Sequence, residues 1–305
     1  MSYAPEDHHR HHPDGDVPGW QESWLTSWYD PMTRSGGYHH VDFQPARGRA
    51  CVQSWIARCG EVLERYQSLN VPMDDYDPAA FRAGPLDVTT TVPLREYTTR
   101  LPQVELAFTG FTGPLAPRGN TISDYRSPGT GHYEVFGRVA VTFPDGGTAT
   151  AFAFHDHSWG PRDYGDLAAT YRWGHLTFGE DLFAVVYAMT SDRRGRGDYG
   201  YVVDGGVRHG VVRVANRIVT AEDGHTPLTA HLQVWTGSGH GYEFTGETDL
   251  SGVSTHDGGH FATETYGTWR CGGRLGSGHL AVRERASPSP EHRAWLSAHE
   301  HGTGS

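Results

Sequence analysis

The sequence predicts an all-β protein of antiparallel strands, and three observations carry that prediction. Apolar and polar residues alternate with period two along most of the chain, the pattern of strands with one buried face. Forty glycines against 25 lysines plus arginines imply many turns and few charged surface helices. Nine Trp, 15 Tyr and 12 Phe residues bring large apolar areas that compensate for a hydrophobic content of only 36%.

The elements follow in order. Early strands are expected over Gly37 to Phe43, Cys51 to Arg58 and Glu61 to Tyr66, then Leu86 to Val92 and Val104 to Thr109. A long strand from Tyr133 to Phe143 meets Asp145-Gly146-Gly147 and returns as Thr148 to Phe154. An Asp-Gly step between alternating apolar runs is a strong hairpin signal. A second hairpin pairs Tyr171 to Phe178 with Leu182 to Met189 about Gly179-Glu180-Asp181. Strands over Tyr199 to Val203, Val207 to Thr220, Leu228 to Trp235, Tyr242 to Thr248, Phe261 to Arg270 and Gly278 to Arg285 complete the series. So many antiparallel strands must close on themselves or pack face to face to hide their edges. Pro290 to His299 is expected to form a short C-terminal helix, with Ser289 as N-cap and Pro290 at the first position. The Pro-, Asp- and Gly-flanked run Asp7-His8-His9-Arg10-His11-His12-Pro13 reads as part of a disordered, His-rich arm over residues 1–19.

Composition excludes several functions. A net charge of −11 is unsuited to phosphate backbones, so no nucleic-acid partner is expected. Arg193-Arg194-Gly195-Arg196 reads as a solvated loop. Cys51, Cys59 and Cys271 show no paired spacing, which favours reduced thiols and a cytoplasmic location. No apolar run has the length of a membrane span, and no membrane partner is expected.

The densest chemistry lies in His155-Asp156-His157-Ser158-Trp159-Gly160-Pro161-Arg162. On a strand, His155, His157 and Trp159 share one face, Asp156 and Ser158 the other, and Gly160-Pro161 ends the element. Asp156 and His157 are candidate catalytic groups, since a carboxylate beside an imidazole supports general acid–base work. Trp159 is a candidate surface for a carbocation or polyene, with His155 beside it. Arg162 is a candidate anchor for a substrate carbonyl or carboxylate, or a staple joining two sheets. A His-x-His metal site on His155 and His157, completed by His175 or Glu180, is the alternative of a metal-dependent oxygenase. Ser158 lacks the surrounding elbow of a nucleophilic serine.

The segment Asp156-His157-Ser158-Trp159-Gly160-x-Arg162 resembles the signature of the hydroxyneurosporene synthase (carotenoid 1,2-hydratase) and AttH-like superfamily. Trp28-Tyr29-Asp30-Pro31-x-Thr33 with Gly36-Gly37-Tyr38 is similar to the opening strand of its actinobacterial members. Tyr171-x-Trp173-Gly174-His175 and Gly276-x-Gly278-His279-Leu280-x-Val282-x-Glu284-Arg285 fit as well. The resemblance implies two lipocalin-like, calycin-type β-barrel or sandwich domains packed together, over residues 20–166 and 167–287, with a helix and tail over 288–305. It implies chemistry without a cofactor or metal on an apolar isoprenoid, polyene or polyketide held in a barrel: hydration, isomerisation or cyclisation. His157-x-Trp159 matches one catalytic pair of the hydratases. Tyr187 matches half of the second, a Tyr-x-Asp acid, but Met189 stands in place of the Asp. Asp156, Asp163 or Asp181 would have to supply that proton, which makes carotenoid hydration itself a poor expectation and a cyclase or isomerase a better one. Catalytic roles are therefore expected for Asp156, His157, Arg162 and Tyr187, and substrate contacts for His155, Trp159, Trp173 and His175. A lipocalin-like carrier that performs no chemistry is the competing expectation.

Overall fold

The computed structural model describes residues 3–13, 15, 17–73, 75–117, 129–161, 170–191, 195–256 and 260–283. These form two compact units, each built on one antiparallel sheet. The boundary expected at residue 166, the helix expected over 290–299, Asp163 and Arg162 all lie outside the described residues, as do Arg193 and Arg194.

The first unit holds β1 (Trp20–Asp30), β2 (Ser35–Gln44), β3 (Arg49–Arg58), β4 (Glu61–Pro72), β5 (Ala80–Ala83), β6 (Leu86–Val92), β7 (Glu96–Leu101), β8 (Val104–Gly110), β9 (Gly131–Thr142) and β10 (Thr148–Pro161). They make a ten-stranded sheet in the order β4-β3-β2-β1-β10-β9-β8-β7-β6-β5. Laid flat, that sheet would part its edges by roughly 43 Å, at about 4.8 Å per strand. Residues 73–79 link β4 to β5, the two edges, and such a link reaches at most about 28 Å. The sheet must therefore curl. Phe43 of β2 and Phe81 of β5, seven places apart in the sheet, accordingly lie with ring centroids 5.2 Å apart. Gly84, at φ +55, lets the β5–β6 turn press on Tyr66 of β4, where a Cβ would come within 2.6 Å of the ring. The curled inner face buries Trp24, Trp28, Val41, Phe43, Ile56, Leu86, Phe108 and Val139 in one core.

The second unit is a closed eight-stranded barrel: β11 (Thr170–Thr177), β12 (Leu182–Ser191), β13 (Gly195–Asp204), β14 (Val207–Thr220), β15 (Pro227–Thr236), β16 (Gly241–His256), β17 (His260–Cys271) and β18 (Arg274–Arg283). Leu176, Val186, Val202, Leu232, Phe244, Trp269 and Leu280 fill it. The all-β, two-domain lipocalin-like architecture is thus present. Among the described residues, no helix is long and apolar enough to cross a membrane.

Three strands escape a reading by alternation. β1 is buried along almost its whole length on both faces, so its apolar and polar residues do not sort into an inside and an outside. β5 has only four residues, and the inward position Thr99 masks the apolar face of β7.

The N-terminal arm is a second departure. Residues 3–13, expected to be disordered, are folded against the first sheet. Pro5–His8 forms a turn of 3-10 helix, His8 is 1% exposed, and Tyr3 packs on Tyr133 with centroids 5.4 Å apart. Arg10 donates to Asp75 at 2.7 Å with its guanidinium over the Tyr76 ring, and His9 bonds Asp77 at 2.8 Å. Composition alone signals solvation here. His8 and His11 instead find the buried partners Tyr133 and Glu22, which offsets the entropy of ordering the segment.

Candidate functional site

The alternation expected of the central segment holds. β10 directs His155, His157 and Trp159 to the inner face and Asp156 and Ser158 to the opposite face, and it ends at Pro161. This alternation has a consequence that overturns the expected pairing of Asp156 with His157. Adjacent strand residues point to opposite faces, so these two side chains belong to different networks.

On the inner face, His157 donates through Nε2 to Glu22 Oε1 at 2.8 Å, while its Nδ1 pairs with the Tyr133 hydroxyl at 3.1 Å. Glu22 lies on β1 and is fully buried. The same Oε1 accepts a second bond from His11 Nδ1 at 2.8 Å, and Oε2 accepts from the Tyr76 hydroxyl at 3.1 Å. Burial pushes the Glu22 carboxyl up, but the hydrogen bonds and charges of His11 and His157 hold it at about 2. His11 stacks on Trp159, centroids 3.6 Å apart and planes 6° from parallel. The indole can lie there because β9 places Gly131 beneath it; a Cβ would approach the ring to 2.2 Å. His8 pairs with Tyr133 and Thr90, each at 2.7 Å, and burial holds its pKa at about 3. His155 donates from Nδ1 to the Leu25 carbonyl at 2.8 Å. Among the described residues its Nε2 has no hydrogen-bond partner, and the ring lies near those of Trp24, Tyr97 and Tyr133. Burial drives its pKa well below the usual histidine range.

On the opposite face, Asp156 makes a short bond to His132 Nε2, and Glu134 Oε1 lies 3.5 Å from the same nitrogen. Asp156 and Glu134 are direct cross-strand partners on β10 and β9. Ser158 pairs with Ser23 at 2.8 Å. Exposure separates the two faces: the Asp156 side chain keeps 11% of its surface accessible and His132 keeps 7%, whereas Glu22 and His157 keep none. A carboxylate bonded to an imidazole fixes its tautomer and strengthens it as a base. Such a pair has the chemistry to deliver and recover a proton.

Trp173, His175 and Tyr187 lie in the second unit, on β11 and β12. β11 pairs with β12 and β18, and β12 with β11 and β13, all strands of the same unit. Within their own unit the three come together. Trp173 stacks on Tyr187 at 6.0 Å, Tyr187 on Tyr199 at 4.3 Å, and His175 on His279 at 4.7 Å. His279 donates to Glu264 at 2.6 Å, and Glu264 accepts a short bond from Ser254. Burial, reinforced by His279, lowers the His175 pKa well below its ordinary value. Met189 receives the Tyr199 hydroxyl at 3.6 Å, so a hydrogen bond to sulfur stands where the hydratase pattern has an acid. Asp181 makes a two-pronged ion pair with Arg274, which holds its carboxyl below the usual range and removes it as a proton source.

Among the described residues, two groups gather three metal-ligating side chains: His11, Glu22 and His157, and His132, Glu134 and Asp156. Neither contains His155, His175 or Glu180, so the His-x-His arrangement expected for an oxygenase does not form. His132 and Glu134 were missed by the sequence reading, although a signal existed. Counting back from the Phe143–Gly147 turn places Glu134 opposite Asp156 and His132 opposite Ser158. Glu22 and His11 carried no such signal, because no tight turn ties β1 or the arm to β10.

Two β units with buried imidazole–carboxylate pairs define a two-domain lipocalin-like protein. The chain belongs to the family described as a domain of unknown function (DUF7064), which it matches over residues 4–286. No curated protein matches it significantly. Solved structures share the fold. Kievitone hydratase from Nectria haematococca matches with a TM-score of 0.60 at 13% identity, over 86% of this chain and 88% of that one. A putative AttH from Nitrosomonas europaea matches at 0.57 and 14%, over 91% and 100%. CghA matches at 0.60 and 13%, over 90% and 91%, and a structure of CghA with Sch210972 is similar as well.

Proposed function

We propose that the protein is a cofactor-independent lyase or cyclase acting on an apolar isoprenoid, polyene or polyketide, with Asp156 and His132 as its acid–base pair and Glu134 as a supporting carboxylate. The observation that carries this reading is the imidazole of His132, whose Nε2 meets two carboxylates on the face of β10 opposite Glu22 and His157. Such a pair protonates an alkene or carbonyl of the substrate and later takes a proton back from the cation or from the water that captures it. Similarity in fold to a hydratase and to CghA supports the class of reaction. In this reading His155, His157 and Trp159 hold the inner wall in place, and the acid role expected of His157 passes to His132.

The test is incubation in deuterated water with a panel of prenylated phenols, linear polyenes and polyketide tetraenes, read by mass spectrometry. A deuterium-labelled hydrate, isomer or cyclised product is expected from the wild type and should be lost in Asp156→Asn. Product formation that survives both Asp156→Asn and His132→Gln would remove the assignment. A carrier reading draws on Met189 standing in the acid position: recovery of an apolar ligand that is bound but never converted would support it.

A further inference from the structure

We infer that His11, Glu22 and His157 form a binding site for one divalent transition-metal ion of the zinc type, which fastens the N-terminal segment to the first sheet. Two imidazole nitrogens and one carboxylate oxygen are a donor set suited to Zn2+ or its first-row neighbours, whereas Ca2+ and Mg2+ prefer oxygen donors throughout. The three donor atoms lie within 4.8 Å of one another, and both imidazole nitrogens are 2.8 Å from the same Glu22 oxygen. Tetrahedral ligands at about 2.1 Å from an ion stand roughly 3.4 Å apart, so seating a metal asks each imidazole nitrogen to retreat from the carboxylate oxygen by about 0.6 Å.

The surroundings are those of a ligand shell. Metal-binding histidines usually commit their second nitrogen to a hydrogen bond that fixes the ring. His157 does so to Tyr133, itself bonded to His8, and the second oxygen of Glu22 accepts from Tyr76. The first unit's ring stack adds rigidity, since His11 lies flat on Trp159. His11 is also the entrance: its side chain is 19% exposed, while Glu22 and His157 are sealed. Each imidazole now places an N–H on one shared carboxylate oxygen. Metal binding would shift each of those protons to the other nitrogen of its ring, so that a neutral imidazole faces the ion, and leave Glu22, a buried anion, beside a cation. The site lies on the face of β10 opposite the acid–base pair, so its role is structural and independent of the proposed reaction.

Full-length protein without an affinity tag, stripped with EDTA, would be titrated with zinc chloride under equilibrium dialysis with elemental analysis, thermal melting and limited proteolysis. One zinc per chain is expected, with a higher melting temperature and slower cleavage within residues 3–13. His11→Phe keeps the stack on Trp159 and removes the ligand, so it should fold and lose zinc affinity by about tenfold or more. His9→Ala with His12→Ala, which touches only the exposed neighbours, should leave affinity unchanged. Absence of stoichiometric zinc, or binding that disappears in the His9/His12 pair but persists in His11→Phe, overturns the proposal and leaves a purely hydrogen-bonded staple.

Discussion

The two faces of β10 place nearly identical chemistry in opposite circumstances. Each carries an imidazole against a carboxylate, His157 with Glu22 inside and His132 with Asp156 on the other side. The inner pair is sealed, capped by the N-terminal segment, and surrounded by hydroxyls and rings that satisfy it. The outer pair is less completely enclosed and has a second carboxylate at hand. On that second face two carboxylates meet one imidazole nitrogen, an arrangement suited to proton transfer. The difference teaches that an imidazole–carboxylate pair is a working group or a structural rivet according to what covers it. Residue type does not decide between them.

The largest effect expected from breaking this comparison is on turnover. Asp156→Asn should lower the rate by about 10²–10⁴, the usual contribution of a positioned acid or base, with an unchanged urea midpoint. Its inner counterpart should do the reverse. Glu22→Ala removes the carboxylate on which His11, His157 and Tyr76 converge, and loss of one partner of a buried pair costs about 3–5 kcal/mol. Denaturant unfolding should show that loss; a variant as stable as the parent would mean the inner network bears no weight.

A third expectation concerns pH and the same sealed face. His39 on β2 accepts from Trp28 at 3.4 Å, pairs with Ser54 at 2.9 Å, and is held by burial at about 3 against an ordinary 6.5. Because it stays neutral in the fold, the unfolded chain takes up the proton first. Its stabilising contribution is complete above pH 6.5 and is lost as pH falls from 6.5 towards 3, by up to about 1.4 kcal/mol per pH unit. Urea midpoints at pH 8 and pH 5 should differ accordingly, and His39→Asn should narrow the gap; an unchanged gap would show that other groups set the acid limit. The smallest effect is reserved for packing. Gly131→Ala puts a methyl against the Trp159 ring, which should cost about 1–3 kcal/mol and shift the indole fluorescence.

Much of the fold was legible. Period two and the Asp145-Gly146-Gly147 turn specify β9 and β10 and the face that each residue of the motif takes. The candidate site was half legible: Asp156 stood out by composition, and His132 and Glu134 were recoverable by counting across one hairpin. Glu22 was not, since β1 meets β10 across 135 residues of chain, a separation no local pattern encodes. The His-rich arm was misread for the same reason, its order depending on Tyr133, Thr90, Glu22 and Trp159 rather than on its neighbours in sequence.

By itself, then, the sequence determined strand character, turn positions and the alternation that parts Asp156 from His157, because these depend on backbone geometry within a few residues. Only the tertiary structure decided which imidazole meets which carboxylate and which pair is the less enclosed. Those outcomes depend on long-range strand pairing and on what the chain lays over each face.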